Sequence, residues 1–106
     1  MAATPEKKVK NQCRKVLDEL KASHFPPATG GYGKSGVSDI VACIDGLFVA
    51  IECKAGKNKP TPLQEAYLDQ VRAAGGVALV INERNVELLR DILLASMDAK
   101  RASYQI

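Results

Sequence analysis

The sequence predicts a single α/β (α+β) domain, residues 1–106, in which a small mixed β-sheet is flanked by helices. Two stretches rich in Val, Ile and Phe are separated by Asp45-Gly46, the type of dipeptide that favours a two-residue hairpin. Segments with apolar residues at helical spacing precede and follow the hairpin. The predicted order is helix, strand, strand, helix, strand, helix. The helix between the second and third strands is a crossover, so those two strands should be parallel.

Composition excludes several classes of protein. The chain is 46% hydrophobic and 25% charged, which is ordinary for a globular domain. No apolar run reaches the roughly 18 residues of a membrane helix, and no apolar block follows the N-terminal lysines as it would in a signal peptide. We therefore expect a cytoplasmic protein with no membrane contact. The cysteines lack CxxC spacing, which argues against disulfides and zinc, and are interpreted as small buried apolar residues: Cys13, Cys43 and Cys53.

The first helix is predicted from Pro5 to about Ala22. Thr4 is a suitable N-cap, and proline is favoured at the first helical position. The apolar stripe that follows consists of Val9, Cys13, Val16, Leu17 and Leu20. Glu6 lies three residues before Val9, at the head of this stripe. An acid there has two explanations: complementarity to the helix dipole, or a functional role.

The segment from Phe25 to Gly36 is predicted to be a loop, because Pro26-Pro27 stops the helix and glycines follow. Its GGYGKSG stretch is not a phosphate-binding loop, since a strand pattern follows where that motif requires a helix. His24, at the predicted end of the first helix, is interpreted as a capping or surface residue.

The hairpin strands are predicted over Val37 to Ile44 and Leu47 to Lys54. A second helix should begin at Thr61-Pro62-Leu63-Gln64, which has a capping-box pattern, and end at Gly75-Gly76. Val77 to Ile81 is a continuous apolar run, typical of an interior strand covered on both faces. The expected buried face of the second helix is Leu63, Tyr67, Val71 and Ala74.

A last helix, with Asn85 as its expected cap, has apolar residues over a wide arc. These residues are Val86, Leu88, Leu89, Ile92, Leu93, Leu94 and Met97. Packing against one sheet does not require so wide an arc. The surplus therefore indicates either an isologous dimer interface or simple core packing.

The hairpin predicts a cluster of charges at its open end. A two-residue turn makes Ile44 face Leu47, and counting back along both strands makes Asp39 face Glu52. Directly opposed side chains share one face of the sheet, and Lys54 lies two residues beyond Glu52 on that face. The two acids and the lysine should therefore converge, provided that no bulge interrupts the pairing.

Two carboxylates this close repel each other when both are ionised. Lys54 alone could neutralise one of them in a structural salt bridge. Pairing charges in a half-buried position costs free energy and is seldom favourable for stability. A divalent cation resolves the repulsion better, and carboxylate oxygens are ligands that suit Mg²⁺ or Mn²⁺.

Asp39 followed by Glu52-Cys53-Lys54 has the form D-(12 residues)-E-x-K, which resembles the PD-(D/E)xK nuclease motif, with Ser38 in place of the proline. Further features resemble the VRR-NUC (virus-type replication-repair nuclease) family: Gly36 to Ile40, the lysine-rich turn before Thr61-Pro62-Leu63-Gln64, the Gln64-x-x-Tyr67 pair, and Gly75-Gly76 before a strand. This resemblance covers roughly Pro5 to Ile81. It implies a restriction-endonuclease-like core, similar to that of stand-alone phage and bacterial Holliday-junction resolvases, which act as homodimers.

The resemblance also implies residue roles. Asp39, Glu52 and the Cys53 backbone carbonyl would hold Mg²⁺ or Mn²⁺, with Glu6 as the additional acid. Catalytic roles would fall to Asp39, Glu52, Lys54 and Gln64. Lys54 would orient or activate the attacking water and stabilise charge on the scissile phosphate. Gln64 would reach Lys54, the water on the metal, or DNA.

DNA is the expected partner, in branched or duplex form. The net charge of +3 is concentrated in basic clusters that either contact phosphates or are simply solvated. The chain has five Phe and Tyr residues and no Trp, so base stacking on single strands is not favoured. The candidate contacts are Lys7, Lys8, Lys10, Tyr32, Lys34, Lys57 and Lys59.

The expected function is therefore metal-dependent, structure-selective DNA cleavage, with Holliday junctions as the expected substrate and a homodimer as the active form. The open alternatives are a flap, nicking or restriction-type nuclease on the same fold, and a non-catalytic DNA-binding subunit. No organic cofactor is expected. The expected location is the bacterial cytoplasm, where a phage protein would also be made.

Overall fold

The computed structural model describes residues 3–28 and 36–103. The helices are α1 (Pro5–Glu19), α2 (Pro62–Ala73) and α3 (Leu89–Ser103), with a short 3₁₀ helix at Val86–Leu88. The strands are β1 (Ser23–Phe25), β2 (Ile40–Ile44), β3 (Leu47–Cys53) and β4 (Val77–Ile81). They form one mixed sheet in the order β1-β2-β3-β4. The predicted fold class and element order are confirmed, with β1 as an additional short strand.

The first helix begins as predicted and ends earlier. The Thr4 side chain accepts a hydrogen bond from the amide of Lys7, and proline occupies the first turn. The helix ends at Glu19 because Lys21 adopts a left-handed backbone conformation, with φ of 59°. The chain then reverses into β1, which pairs antiparallel with β2. The prediction that the helix reaches Ala22 and that Phe25 starts a loop is therefore wrong.

His24 lies in β1 rather than at a helix end. Its Nε2 lies 2.6 Å from Oδ1 of Asp18 on α1, and its side chain is only 9% exposed. The interpretation of His24 as a cap or surface residue is wrong, because strand pairing with β2 turns the ring toward α1.

The hairpin register is confirmed. Ile44 pairs with Leu47 and Ile40 with Ile51, so no bulge interrupts the count. β3 and β4 are parallel, as the crossover predicted. The strand β2 begins at Ile40, three residues later than expected.

Helices cover the two faces of the sheet unequally. The α1 and α3 side is a continuous apolar core, with fully buried residues that include Leu17, Ile51, Leu89 and Leu93. The α2 side is smaller and is built on Ala50, Leu68, Val71 and Ala78, with Tyr67 and Val80 packed against it.

Several burial predictions fail on the α2 side. Leu63 is 62% exposed and Ala74 is also exposed, whereas Leu68 is fully buried. The buried stripe of α2 is therefore rotated relative to the prediction. Cys43 is exposed, not buried, because it faces the α2 side on β2, whereas α2 packs on β3 and β4.

The strand β4 lies at the edge of the sheet, not in its interior as predicted. Its outward carbonyls are nevertheless occupied: Arg72 donates to the Ala78 carbonyl at 2.9 Å and Asn85 donates to that of Val80 at 3.0 Å. These bonds block an edge that would otherwise be open to strand addition. Oδ1 of Asn85, the atom that would cap the 3₁₀ helix that follows, instead accepts a hydrogen bond from the Asn82 amide at 2.7 Å, so Asn85 makes no side-chain cap bond.

No helix within residues 3–28 and 36–103 is long and apolar enough to cross a membrane.

Candidate active site

The carboxylate of Asp39 terminates the hairpin ladder. In the observed register, Ser38 and Cys53 would form the next backbone hydrogen-bonded pair after Ile40 and Ile51. Instead, Oδ2 of Asp39 accepts the bond from the Cys53 amide at 2.7 Å. Ser38 is buried and donates its hydroxyl to the carbonyl of Ile40 at 3.0 Å. This local arrangement fixes the Asp39 carboxylate beside the end of β3.

Glu52 lies next to it and is almost completely buried, at 2% exposure. Its Oε1 lies 3.9 Å from Nζ of Lys54 and 3.4 Å from Nε2 of Gln64. Its Oε2 is buried and has no hydrogen-bond partner among the described residues. Asp39, Glu52 and Lys54 thus lie close together, as the hairpin register predicts. One oxygen of the Glu52 carboxylate has no hydrogen bond to a described residue.

Burial raises the pKa of Glu52 to about 8. Asp39 contributes to this rise in pKa, both as an acceptor for the proton of the neutral acid and as a like charge; Lys54 acts in the opposite direction, and the charge of Glu6 adds to the rise. A single lysine at 3.9 Å therefore does not compensate for desolvation and the second acid. This arrangement differs from a satisfied structural salt bridge.

Gln64 reaches Glu52 because a capping box orients it. Thr61 accepts a bond from the Gln64 amide, and the Thr61 amide donates to the Gln64 side-chain oxygen at 2.9 Å. The side-chain oxygen of Gln64 is thereby occupied, and its side-chain nitrogen is directed to the Glu52 carboxylate. The sequence predicted contact with Lys54, a metal-held water or DNA, and the structure gives contact with the acid itself.

Gly36 allows the segment before β2 to touch the start of α2. Its φ is +80°, and a Cβ built there would lie 2.8 Å from backbone atoms of Leu63. Leu63 directly precedes Gln64, so this contact sets the distance between the Asp39 segment and the Gln64 helix.

Asp39 also has a cationic neighbour on α1. Nζ of Lys10 lies 3.6 Å from Oδ1 of Asp39, and both side chains are partly buried. Lys10 was predicted as a phosphate contact, and here it neutralises an acid of the site. Glu6, one turn earlier on α1, is partly buried and lies near enough for its charge to act on Glu52.

The donors fit a hard divalent cation in chemistry. Two carboxylates meet at the end of β3, and one of their oxygens, Oε2 of Glu52, is buried with no partner in the part of the chain that the structure describes. The Cys53 carbonyl points to the same side of the strand as its amide, which is the side of Asp39. Within the described ranges, no three His, Cys, Asp or Glu side chains are grouped as a metal site, so Glu6 as the third acid remains a prediction.

The Cys53 side chain faces away from this site. It is fully buried against Cys13 of α1, and the hydrogen bond to Cys13, together with burial, raises the pKa of its thiol. Alternation along β3 thus gives Cys53 a structural side chain and leaves its backbone to the site.

The remaining candidate contacts that the structure describes are exposed lysines. Lys7 and Lys8 are exposed on α1, and Lys57 and Lys59 are exposed in the loop after β3. Tyr32 and Lys34 lie outside the described residues. Two clefts border this loop: one of about 1040 Å³ toward α1, which Glu6 lines, and one of about 620 Å³ toward the turn after β4.

Sequence reasoning missed the residues that hold this loop. The amide of Gly56 donates to Oε1 of Glu83 at 2.9 Å, and Nη1 of Arg84 donates to the Gly56 carbonyl at 3.1 Å. Glu83 and Arg84 follow β4, and nothing in their local sequence indicates this contact across about 28 residues. The only available signal was that β4 should lie parallel to β3, which brings the loops after both strands to one edge of the sheet.

Comparison with known proteins gives the fold. A solved structure described as a VRR_NUC domain matches with a TM-score of 0.71 at 21% sequence identity, covering 84% of this chain and 97% of the other. Another, described as a VRR_NUC domain protein, matches with a TM-score of 0.58 at 19% identity, covering 92% of each chain. No family model and no curated protein sequence matches the chain. The chain therefore has the fold of the VRR-NUC domain, as the sequence resemblance predicted.

Proposed function

We propose that this protein is a VRR-NUC-type nuclease: a Mg²⁺- or Mn²⁺-dependent, structure-selective DNA endonuclease that resolves four-way junctions as a homodimer. The observation that supports this function most strongly is the Asp39–Glu52 pair at the open end of the hairpin, with Lys54 beside it. A buried, incompletely satisfied carboxylate is expensive to maintain for stability alone. Its cost is understandable where a cation and a phosphate are to be bound.

Asp39, Glu52 and the Cys53 carbonyl would hold the cation, with Glu6 as a fourth donor from α1. When bound, a divalent cation acidifies a water molecule and neutralises negative charge that develops on a phosphate. The chain itself fixes the donors. The Cys53 amide orients Asp39, and burial between β3 and α2 excludes bulk water from Glu52.

Lys54 has the charge and the position to act on the phosphate. Its side chain is 14% exposed, so its ammonium group lies at the border between the buried acid and solvent. There it can orient the attacking water and stabilise negative charge on the phosphate oxygens. Gln64 fixes the Glu52 carboxylate through its amide nitrogen and so acts as a positioning residue.

The surface around the acids supports a polyanionic substrate. Lys7 and Lys8 are exposed on α1, the helix that also carries Glu6 and Lys10, and Lys57 and Lys59 are exposed in the loop that follows Lys54. Such contacts give affinity for phosphates without reading base sequence. Tyr32 and Lys34, in the glycine-rich segment, are proposed as contacts to the branch point.

The homodimer is proposed from α3. Leu88, which precedes α3, is 50% exposed, and Leu94 on α3 is 37% exposed. Symmetric cleavage of a four-way junction requires two active sites, which two copies of a 106-residue chain would supply.

Incubation with synthetic four-way, flapped and linear duplex DNA, with Mg²⁺ and with EDTA, tests the proposal. Paired symmetric nicks in the junction, seen only with Mg²⁺, are expected. Cleavage of the flapped or linear DNA, with the junction left intact, would show that the protein is a nuclease with a substrate other than the four-way junction. Binding without cleavage at any divalent cation would contradict the nuclease and favour a DNA-binding subunit.

A further inference from the structure

A basic cleft of about 620 Å³ lies beside the candidate active site. It opens between the loop after β3 and the turn after β4, two segments that leave the sheet at the same edge because their strands are parallel. Its polar lining includes three cations and two amides, and no acidic side chain: Lys57, Asn58, Lys59, Asn82 and Arg84. The first of these loops begins directly after Lys54, so the cleft continues the surface on which the acids lie.

The two lysines of the cleft have no structural task within the described part of the chain. Lys57 and Lys59 are exposed, and neither side chain makes an ion pair or hydrogen bond to another described residue. Lys10 and Lys54, in contrast, are each paired with an acid of the site. The charges of Lys57 and Lys59 therefore remain available to a ligand.

Among the described residues, the guanidinium group of Arg84 is held through Nη1 alone. Nη1 donates to the carbonyl of Gly56 at 3.1 Å and to Oε1 of Glu83 at 3.0 Å. Its Nε and Nη2 have no partner among residues 3–28 and 36–103, and the side chain is 63% exposed. A planar guanidinium fixed at one corner retains parallel N–H groups, a geometry that matches the oxygens of a phosphate.

We propose that Arg84, Lys57 and Lys59 form a phosphate subsite that binds the DNA backbone next to the phosphate being cut. The choice of DNA rests on the proposed function, whereas the subsite itself rests on the cleft and its cations. Glu83 pairs with Arg84 and offsets part of its charge, but its carboxylate does not line this cleft. The Gly56 bonds make the subsite rigid, since they fix Arg84 to the loop that contains both lysines.

DNA binding in EDTA, measured by fluorescence anisotropy of a labelled four-way junction over a range of NaCl concentrations, tests the subsite without requiring cleavage. Each lost phosphate contact should reduce the slope of log affinity against log salt by about 0.9. We expect that reduction for Arg84→Gln, with roughly 5- to 10-fold weaker binding at 0.1 M salt, and about twice that slope change for Lys57→Gln/Lys59→Gln. The double lysine variant leaves both Gly56 hydrogen bonds intact, so a change in its slope cannot be attributed to a change in the conformation of the loop.

Lys15→Gln/Lys21→Gln is the control matched in charge. Lys15 is exposed in the C-terminal half of α1 and Lys21 is exposed just after the helix, whereas Glu6 lies in its first turn. If the subsite double variant changes the slope no more than this control does, the proposal is wrong. If the variants show the expected slope reductions but the wild-type protein never cleaves DNA, the proposed function is wrong and the subsite is supported. If the wild-type protein cleaves DNA normally but the variants have unchanged slopes, the subsite is wrong and the proposed function is supported.

Discussion

The backbone amide of Cys53 donates to the carboxylate of Asp39 at 2.7 Å, at the position where the hairpin would otherwise form its next backbone pair. A side chain thereby replaces a ladder bond and brings one acid beside another, Glu52, on the adjacent residue. Two carboxyl groups therefore lie side by side, and burial together with Asp39 disfavours the charged form of Glu52.

The two acids should be essential for cleavage and dispensable for binding. Asp39→Asn retains an oxygen for the Cys53 amide, and Glu52→Gln retains the shape of the side chain, but each removes a negative charge needed to hold a cation. We expect both variants to lose junction cleavage in Mg²⁺ and to bind the junction normally in EDTA. Asp45→Asn, in the hairpin turn where Asp45 pairs with Arg101, is the control and should cleave normally. Cleavage by both site variants would contradict the site.

Lys54→Ala should slow turnover much more than it lowers the affinity of the protein for the cation. Its ammonium group lies 3.9 Å from Glu52, and the role proposed for it concerns water and phosphate. Proton-transfer and orientation effects of this kind are worth roughly 100-fold or more in rate. Single-turnover cleavage as a function of Mg²⁺ concentration separates the two effects. A variant whose maximal rate recovers at high Mg²⁺ would show that Lys54 acts on metal binding instead.

The metal-free protein should lose stability as pH rises. Glu52 has a pKa of about 8 in the folded chain, against 4.5 as its ordinary value, because burial and Asp39 disfavour its charged form. Below pH 4.5 the group is protonated in both states and costs nothing. Between pH 4.5 and 8 only the unfolded chain ionises, so the free energy of unfolding falls by at most about 1.4 kcal/mol per pH unit.

Urea unfolding in EDTA at pH 6, 7 and 8 measures this loss. Glu52→Gln cannot ionise at this position, so the difference between wild type and variant isolates the contribution of Glu52 from that of other groups. We expect the variant to become increasingly more stable than wild type as pH rises through this range. Parallel pH profiles for the two proteins would show that Glu52 is not held in its neutral form.

The hairpin and its acids could be predicted because their determinants are local. Asp45-Gly46 specifies a two-residue turn, and that turn fixes the register along both strands. The capping box at Thr61 and Gln64 is equally local, and both of its bonds are present. The position of Gln64 relative to Glu52 followed only in part, since it requires the packing of α2 on the sheet.

Features that depend on distant contacts were missed or mispredicted. β1 has three residues, too few for period-2 alternation to identify a strand from the sequence, and it follows Lys21, where the chain turns back toward β2. The exposure of Cys43 depends on which strands α2 covers, and the pairing of Lys10 with Asp39 depends on how α1 crosses the sheet. None of these relations has a signature within a few residues of sequence.

Gly36→Ala should destabilise the fold more than an equivalent change elsewhere, and should also slow cleavage. A methyl group at Gly36 would lie 2.8 Å from backbone atoms of Leu63, and the φ of +80° adds conformational strain. Gly75→Ala is the matched control, because Gly75 has a φ of +93° but nothing lies within 4 Å of its built Cβ. Both variants should lose the roughly 1–2 kcal/mol that a left-handed non-glycine residue costs, and only Gly36→Ala should lose more, because its methyl group displaces α2.

Urea unfolding measures the loss of stability. Because α2 positions Gln64 against Glu52, the cleavage rate corrected for the folded fraction should fall for Gly36→Ala alone. Equal losses in both variants would mean that the close approach at Leu63 relaxes without cost.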